Sequence, residues 1–381
     1  MKRIVIVGGG FAGLAAAKAL GRKRRSGLEV ILLDRRTAQQ NLPLIPDLVG
    51  RAYDPGLFRF DLATAARRWG HTFLQHDVKG IDVRAGRLEA EGESMAYDHL
   101  IVATGSRTHL RHMAGAGDGL MVLDSAADAV AIRKRVWETD PRCIVVAGGS
   151  YTGVEVATQL QCALGRAGRK CRVVLLNRRE RTCRNLPVSM SRYIEANLQR
   201  LGIEIRHQTT LDSVESNVAC LSTGETLDGS LAIWTAGVQP PEVVRTLDLP
   251  VTSDGRLVTD ASLQIAEHAH AAGDTAGFLV RGKPARMSVQ FAIMSGRHAA
   301  QCVLRGMAGR PPRRFRPVDL GYVVPMANFR GCGTAMGVPI RGRLPMLLHY
   351  TMSLYRTFGW QNRMRLLAAF GRTWMGGGRQ E

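Results

Sequence analysis

The chain has 381 residues, 45% of them apolar, with 42 glycines and a formal net charge of +20 from 52 lysines and arginines against 32 acids. That apolar share excludes a disordered chain and leaves room for two or three domains, while the charge asks for an anionic phospholipid or nucleic-acid surface, or else marks a solvated arginine-rich face. Seven cysteines, an odd number without a Cys-x-x-Cys pair, exclude a disulfide framework and a redox-active dithiol and place reduced thiols in the cytoplasm; ten histidines lack ligand spacing, so no metal is expected, and no run of 18 uncharged apolar residues can span a bilayer.

The first element is the apolar run Ile4-Val5-Ile6-Val7, which tightens at Gly8-Gly9-Gly10 and passes through Phe11, Ala12 and Gly13 into an alanine-rich stretch with helical spacing. This predicts a strand, a tight turn and a helix. Gly8 serves the turn, Gly10 the approach of a phosphate, and Gly13 the packing of helix on strand. Free N–H groups and the positive end of a helix meet a pyrophosphate there. Leu28 to Leu33 reads as a second strand ending at Asp34, a carboxylate placed about 20 residues on to accept from a ribose diol. Lys2-Arg3 and the apolar run imitate a secretory signal, but three consecutive glycines and Lys18 interrupt it, so this segment reads as the start of the fold.

Tyr97 to Val102 is a further strand, running into Ala103-Thr104-Gly105-Ser106. About 140 residues after the first turn comes a second: Cys143 to Ala147, then Gly148-Gly149-Ser150-Tyr151-Thr152-Gly153-Val154-Glu155. Its middle glycine is Ser150, and the strand after it, Cys171 to Leu176, ends in Asn177 followed by Arg178 and Arg179. Loss of the acid with guanidinium groups nearby suits a 2′-phosphate and hints at NADPH over NADH; the bland reading is a half that keeps the fold and binds nucleotide poorly. Small-residue strand ends recur at Ile233-Trp234-Thr235-Ala236-Gly237 and at Ala272-Gly273-Asp274, ahead of a helix from Ser288 to Leu304. Cys332, in Arg330-Gly331-Cys332-Gly333, is a thiol to watch, with packing as its alternative. From Leu344 to Trp374 the chain is helical in pattern: Trp360, Met364, Leu367 and Trp374 share one face, and Gln361, Arg365 and Arg372 another. Such a basic helix lies in a membrane interface, or it packs on the body or in a dimer contact.

Taken together, the Gly-rich start, Asn41-Leu42-Pro43-Leu44, Ala-Thr-Gly-Ser at 103 to 106, Gly-Gly-Ser-Tyr-Thr-Gly-Val-Glu at 148 to 155, Ile-Trp-Thr-Ala-Gly-Val at 233 to 238 and Ala-Gly-Asp at 272 to 274 resemble the two-dinucleotide flavoproteins, and among these the type II NADH:quinone oxidoreductases. The resemblance implies an α/β protein with two Rossmann-like dinucleotide-binding domains and a C-terminal helical membrane-docking segment. An FAD domain would be formed by 1–111 and 227–330, an inserted NAD(P) domain by 112–226, and a membrane-associating or dimerising segment by 331–381. It implies cofactor-binding roles for Gly8, Gly10, Phe11, Ala12, Gly13, Asp34, Arg35, Val78, Ala103, Thr104, Gly105, Gly273, Asp274 and Gln290, with Asp274 on the ribityl chain. In the second fold the implied positions are Gly148, Gly149, Ser150, Thr152, Gly153, Asn177, Arg178, Ala236 and Gly237.

The implied activity is a relay without proton pumping, in which FAD takes a hydride from NAD(P)H and passes two electrons to a respiratory quinone at the inner face of the cell membrane. Gln290 would bond near the flavin or quinone carbonyl. Glu155 would handle a proton or orient nicotinamide, or else satisfy the dipole of its helix. The family's Ala-Gln-x-Ala-x-Gln pattern reads Val289-Gln290-Phe291-Ala292-Ile293-Met294 here, so Met294 replaces an amide and leaves the acceptor open. Two rivals stand beside this reading: a sulfide:quinone oxidoreductase using Cys332, and a basic redox-switched flavoprotein on nucleic acid, for which no DNA-reading motif is found.

Overall fold

The computed structural model describes residues 1–21, 27–110, 115–116, 119–357 and 359–375. The expected domain boundary at 111/112 and the tail 376–381 lie outside the described residues. The chain divides into two compact units, Met1–Gln39 with Phe60–Arg107 and Val238–Asp319, and Gln40–Arg59 with Thr108–Gly237 and Leu320–Glu381.

The first unit is built on a six-stranded sheet, in the order Gln264–Ala266, Ala269–Ala271, His99–Val102, Lys2–Val7, Leu28–Asp34, Thr72–Gln75, parallel except at the first pair. A parallel strand is covered on both faces, which is why Ile4, Val5, Ile6 and Val7 are all apolar and all buried. Successive side chains alternate. Ile4 and Ile6 enter a cluster with Ala12, Ala16 and Leu20 of the helix Phe11–Leu20 and with Ala299 and Val303 of the helix Val289–Met307. Val5 and Val7 face the other way, toward Ile81 and Leu88 of an antiparallel meander. The two helices pack closely because Gly296 presents no side chain to the Ala12 carbonyl.

The second unit repeats the scheme with a five-stranded parallel sheet, ordered Leu120–Val122, Ser230–Trp234, Cys143–Ala147, Arg172–Asn177, Glu204–His207. Its core takes in the helices Ala126–Thr139, Tyr151–Arg166 and Val188–Arg200 and the short helix Ile45–Gly50. The sequence reading foresaw the C-terminal helical pair, with packing on the body as one alternative, but not the antiparallel sheet that precedes it. An antiparallel sheet of Gly321–Met326, Arg330–Ala335 and Val338–Gly342 and the helices Leu344–Arg356 and Trp360–Met375 also bury Val324, Cys332, Met346, Tyr350, Leu366 and Phe370 in this core. Among the described residues no helix is long and apolar enough to cross a membrane.

Candidate functional site

In the first unit Gly8 sits at φ +108°, and a Cβ there would strike the Ala103 carbonyl; at Gly13 it would strike the carbonyl of Gly8. Gly10 has nothing within 4 Å of an added Cβ, so its backbone is open on the side where the helix Phe11–Leu20 begins without a side-chain cap. Asp34 ends its strand and accepts from the Gly9 N–H at 2.6 Å and the Arg36 N–H at 2.8 Å. The carboxylate thus stands over the turn. Beside it lies a cavity of about 70 Å³ whose lining includes Gly8, Asp34, Arg35, Val78, Thr104 and Arg107.

Two distant motifs meet in the same unit. Ser106 donates to Asp274 at 2.8 Å, the Gly105 N–H to the Thr275 hydroxyl at 3.0 Å, and Thr104 bonds to Thr275 at 3.0 Å. Burial lifts the Asp274 carboxyl above its ordinary range, with Ser106 and Arg256 opposing. Gly273, at φ +71°, gives its N–H to the Ser295 hydroxyl at 2.8 Å, which ties this segment to the helix Val289–Met307. One turn before Ser295 on that helix, Gln290 is buried and donates to Asp319 at 3.3 Å, where Arg286 makes a bidentate ion pair with the same carboxylate at 2.6 and 2.8 Å. The structure therefore sets Gln290 in an Arg286–Asp319 network that its motif did not reveal.

The second turn has the same build. Gly148 lies at φ +132° against Thr235, and a Cβ at Gly153 would strike the Gly148 carbonyl. Ser150 occupies the position of Gly10 with an extended φ of −94°, open to any residue, and its hydroxyl makes no capping bond to the helix Tyr151–Arg166. It is exposed, so the hydroxyl adds a donor at the helix start without straining the turn. Asn177 is buried, and an added Cβ at Gly149 would lie 2.6 Å from its side chain. Ala236 and Gly237, the latter at φ +70°, follow the strand Ser230–Trp234.

Glu155 is the fifth residue of its helix, beyond the first turn, and faces a group of residues the sequence reading passed over. With Asp47, Thr158, Gln159, His349 and Tyr350 it lines a cavity of about 10 Å³, the size of a single water. Gln159 makes a very short hydrogen bond to Asp47 Oδ1, Tyr350 donates to the same oxygen at 3.2 Å, and Asp47 Oδ2 is buried without a partner. Burial pushes Asp47 up from 3.8 to about 6, against Arg51 and the Tyr350 bond. Glu155 is pushed well above the usual range, first by burial and then by Asp47. Burial alone would lower Arg51, but Tyr350, Asp47 and Tyr53 outweigh it. Two carboxyls around one water-sized space, each desolvated, are both shifted toward their protonated forms. The one signal for this cluster was Pro46-Asp47 at a helix start; Tyr350 is 303 residues away in the chain.

Cys332 is fully buried in the middle strand of the antiparallel sheet, and burial raises its thiol to about 11. That is a packed thiol and not a reactive one. Among the described residues no cluster of His, Cys, Asp and Glu is arranged to hold a metal.

Residues 2–296 match the pyridine nucleotide-disulphide oxidoreductase family, more than half of the chain. The chain belongs to that family. Within it, the chain is 28% identical over 383 residues to demethylphylloquinone reductase NdbB of Synechocystis, covering 95% of this chain and 94% of that protein. It is 24% identical over 414 residues to the type II NADH:quinone oxidoreductase of Haemophilus influenzae, covering 93% of each. The fold is shared with NDH2 from Plasmodium falciparum solved with NADH, at a TM-score of 0.88 and 14% identity over 99% of both chains.

Proposed function

We propose that this family member is an FAD-dependent NAD(P)H:quinone oxidoreductase of the type II kind. What carries the reading is one chain with two glycine turns of the same build, one completed by a Gly-Asp segment, similar along nearly its full length to proteins named as quinone reductases. Flavin, when bound, supplies the two-electron exchange between nicotinamide and quinone.

The chain's own residues then have distinct tasks. Gly8, Gly10, Phe11, Ala12 and Gly13 receive one pyrophosphate, Asp34 its ribose, Arg35 and Val78 the flank of the adenosine, and Asp274 the ribityl hydroxyls, with Ala103, Thr104, Gly105 and Gly273 shaping the approach. Gly148, Gly149, Ser150, Thr152 and Gly153 receive the donor's pyrophosphate, and Asn177, Arg178, Ala236 and Gly237 border it. Glu155, with Asp47 at its side, handles a proton or orients the nicotinamide, and Gln290 serves the acceptor through Asp319.

The C-terminal helices support a peripheral place on the inner face of the cell membrane. They bury Met346, Tyr350, Leu366 and Phe370 yet leave Leu347, Tyr355, Trp360, Met364 and Leu367 exposed, with Arg363, Arg365 and Arg372 beside them. The buried side chains pack on the body, and the exposed apolar and basic side chains are the ones that would meet lipid.

Anaerobic titration of the purified protein with NADH, NADPH and sulfide, followed by a soluble quinone, tests the proposal. A nicotinamide donor is expected to bleach the flavin absorbance and quinone to restore it. A colourless protein that does not take up FAD, or flavin bleached by sulfide alone, overturns it.

A further inference from the structure

The ribose end of the second turn is built differently from that of the first, and the register of the two sheets makes the comparison residue for residue. Val7 pairs with Leu33 in one sheet and Ala147 with Leu176 in the other. The next residue is Asp34 in the first case and Asn177 in the second. Each stands over the second glycine of its turn: Asp34 accepts from the Gly9 N–H, and Asn177 packs against the Cα of Gly149. Both are followed by two arginines, Arg35-Arg36 and Arg178-Arg179. Arginines alone therefore do not distinguish the sites. The carboxylate does.

Asn177 also has its side chain occupied. Its Nδ2 donates to the Arg179 carbonyl at 2.9 Å and lies 3.1 Å from His207 Nδ1, while its Oδ1 accepts weakly from the Arg179 N–H at 3.4 Å. No negative charge remains at the strand end. Of the nearby acids, Glu195 accepts from the Thr182 N–H at 2.8 Å and lies 3.6 Å from His207, and Glu180 is exposed. Arg181 spends its guanidinium on the carbonyls of Arg184 and Leu186 and so shapes the loop. Arg178 and Arg179 are exposed and enter no ion pair among the described residues.

We infer that the second turn selects a nucleotide phosphorylated on the 2′-oxygen of its adenosine ribose, so that NADPH is the preferred donor, with Arg178 and Arg179 receiving the phosphate and Asn177 sparing it the repulsion an acid would exert. The inference rests on the oxidoreductase reading above. A 2′-phosphate takes charge-assisted, bidentate bonds from guanidinium groups, whereas a carboxylate in the place of Asn177 would accept from a free diol and repel the phosphate.

Calorimetric titration of the flavin-loaded, full-length protein with 2′,5′-ADP and with 5′-AMP reads the preference without turnover. The 2′-phosphorylated probe is expected to bind about 10- to 100-fold more tightly, with that margin shrinking as salt is added. Replacing both exposed arginines, Arg178→Ala with Arg179→Ala, brings the two affinities together, and Asn177→Asp reverses their order. NADPH then bleaches the wild-type flavin at lower concentration than NADH. If 5′-AMP binds as tightly as 2′,5′-ADP while NADH bleaches the flavin, this inference falls and the oxidoreductase reading stands. A preference that survives loss of both arginines overturns the assignment of the phosphate site. If neither probe binds and neither donor bleaches the flavin, both readings fall.

Discussion

Replacing Asp47 by asparagine tests whether burial or the Arg51 charge governs the carboxyl cluster. Asparagine keeps the acceptor for Gln159 and Tyr350 and puts an amide where Oδ2 has no partner, so it imitates the protonated acid. The displacement of Asp47 from 3.8 to about 6 corresponds, at about 1.4 kcal/mol per tenfold change in proton affinity, to about 3 kcal/mol. The folded chain binds the proton more tightly than the unfolded one, so its contribution to stability is fully present below pH 3.8 and is lost as pH rises through about 6. Arg51 lacks a charged partner in both the acid form and the variant, and its burial cost cancels in the comparison. Urea unfolding of wild type and Asp47→Asn across this range is expected to show matching stabilities near pH 4 and an advantage for the variant of up to about 3 kcal/mol near pH 7.5. A difference that stays flat with pH, or that favours the wild type at high pH, would mean that the Arg51 charge outweighs desolvation at Asp47.

Glu155→Gln removes the titrating group beside this cavity; we expect slower reoxidation of flavin by quinone, by about 10- to 100-fold, measured by stopped flow, whereas an unchanged rate removes the proton-holding role. Gly8→Ala combines a left-handed backbone with a clash on Ala103 and should cost more than about 2 kcal/mol, giving protein that purifies without yellow colour. His270, buried with both ring nitrogens unpartnered, is driven down from 6.5 to about 4 by burial. Its stability contribution is therefore present above pH 6.5 and lost as pH falls through about 4, and His270→Leu should lessen acid unfolding over that window by up to about 3 kcal/mol. For the membrane face, Trp360→Glu with Leu367→Glu should abolish sedimentation with anionic vesicles while leaving the urea midpoint in place, since both side chains are exposed. Truncating at 344 would instead strip Met346 and Tyr350 from the core.

The dinucleotide turns were legible because they are local. A strand, two or three glycines and a helix must follow within a dozen residues, and at Gly8, Gly13, Gly148 and Gly153 a side chain would strike backbone, so the residue type is dictated where the pattern is read. The same holds for Asp34 and Asn177, which sit one residue beyond the registered strand pairs. Chain order and spacing were enough to identify them.

What the sequence left open depends on residues far apart in the chain. Asp47 reads only as an acid at a helix start until Tyr350 and Gln159 close around it, and Gln290 reads as a site amide until Asp319 and Arg286 engage it. The sequence leaves Cys332 between packing and reactivity and the helix Leu344–Arg356 between a membrane surface and the body, because a side chain's exposure depends on what packs over it, and burial separates a packed thiol from a reactive one. Periodicity marks which face of a helix is apolar. Only tertiary packing decides whether that face meets the protein or the solvent, and in the C-terminal pair it covers one apolar face and leaves another open.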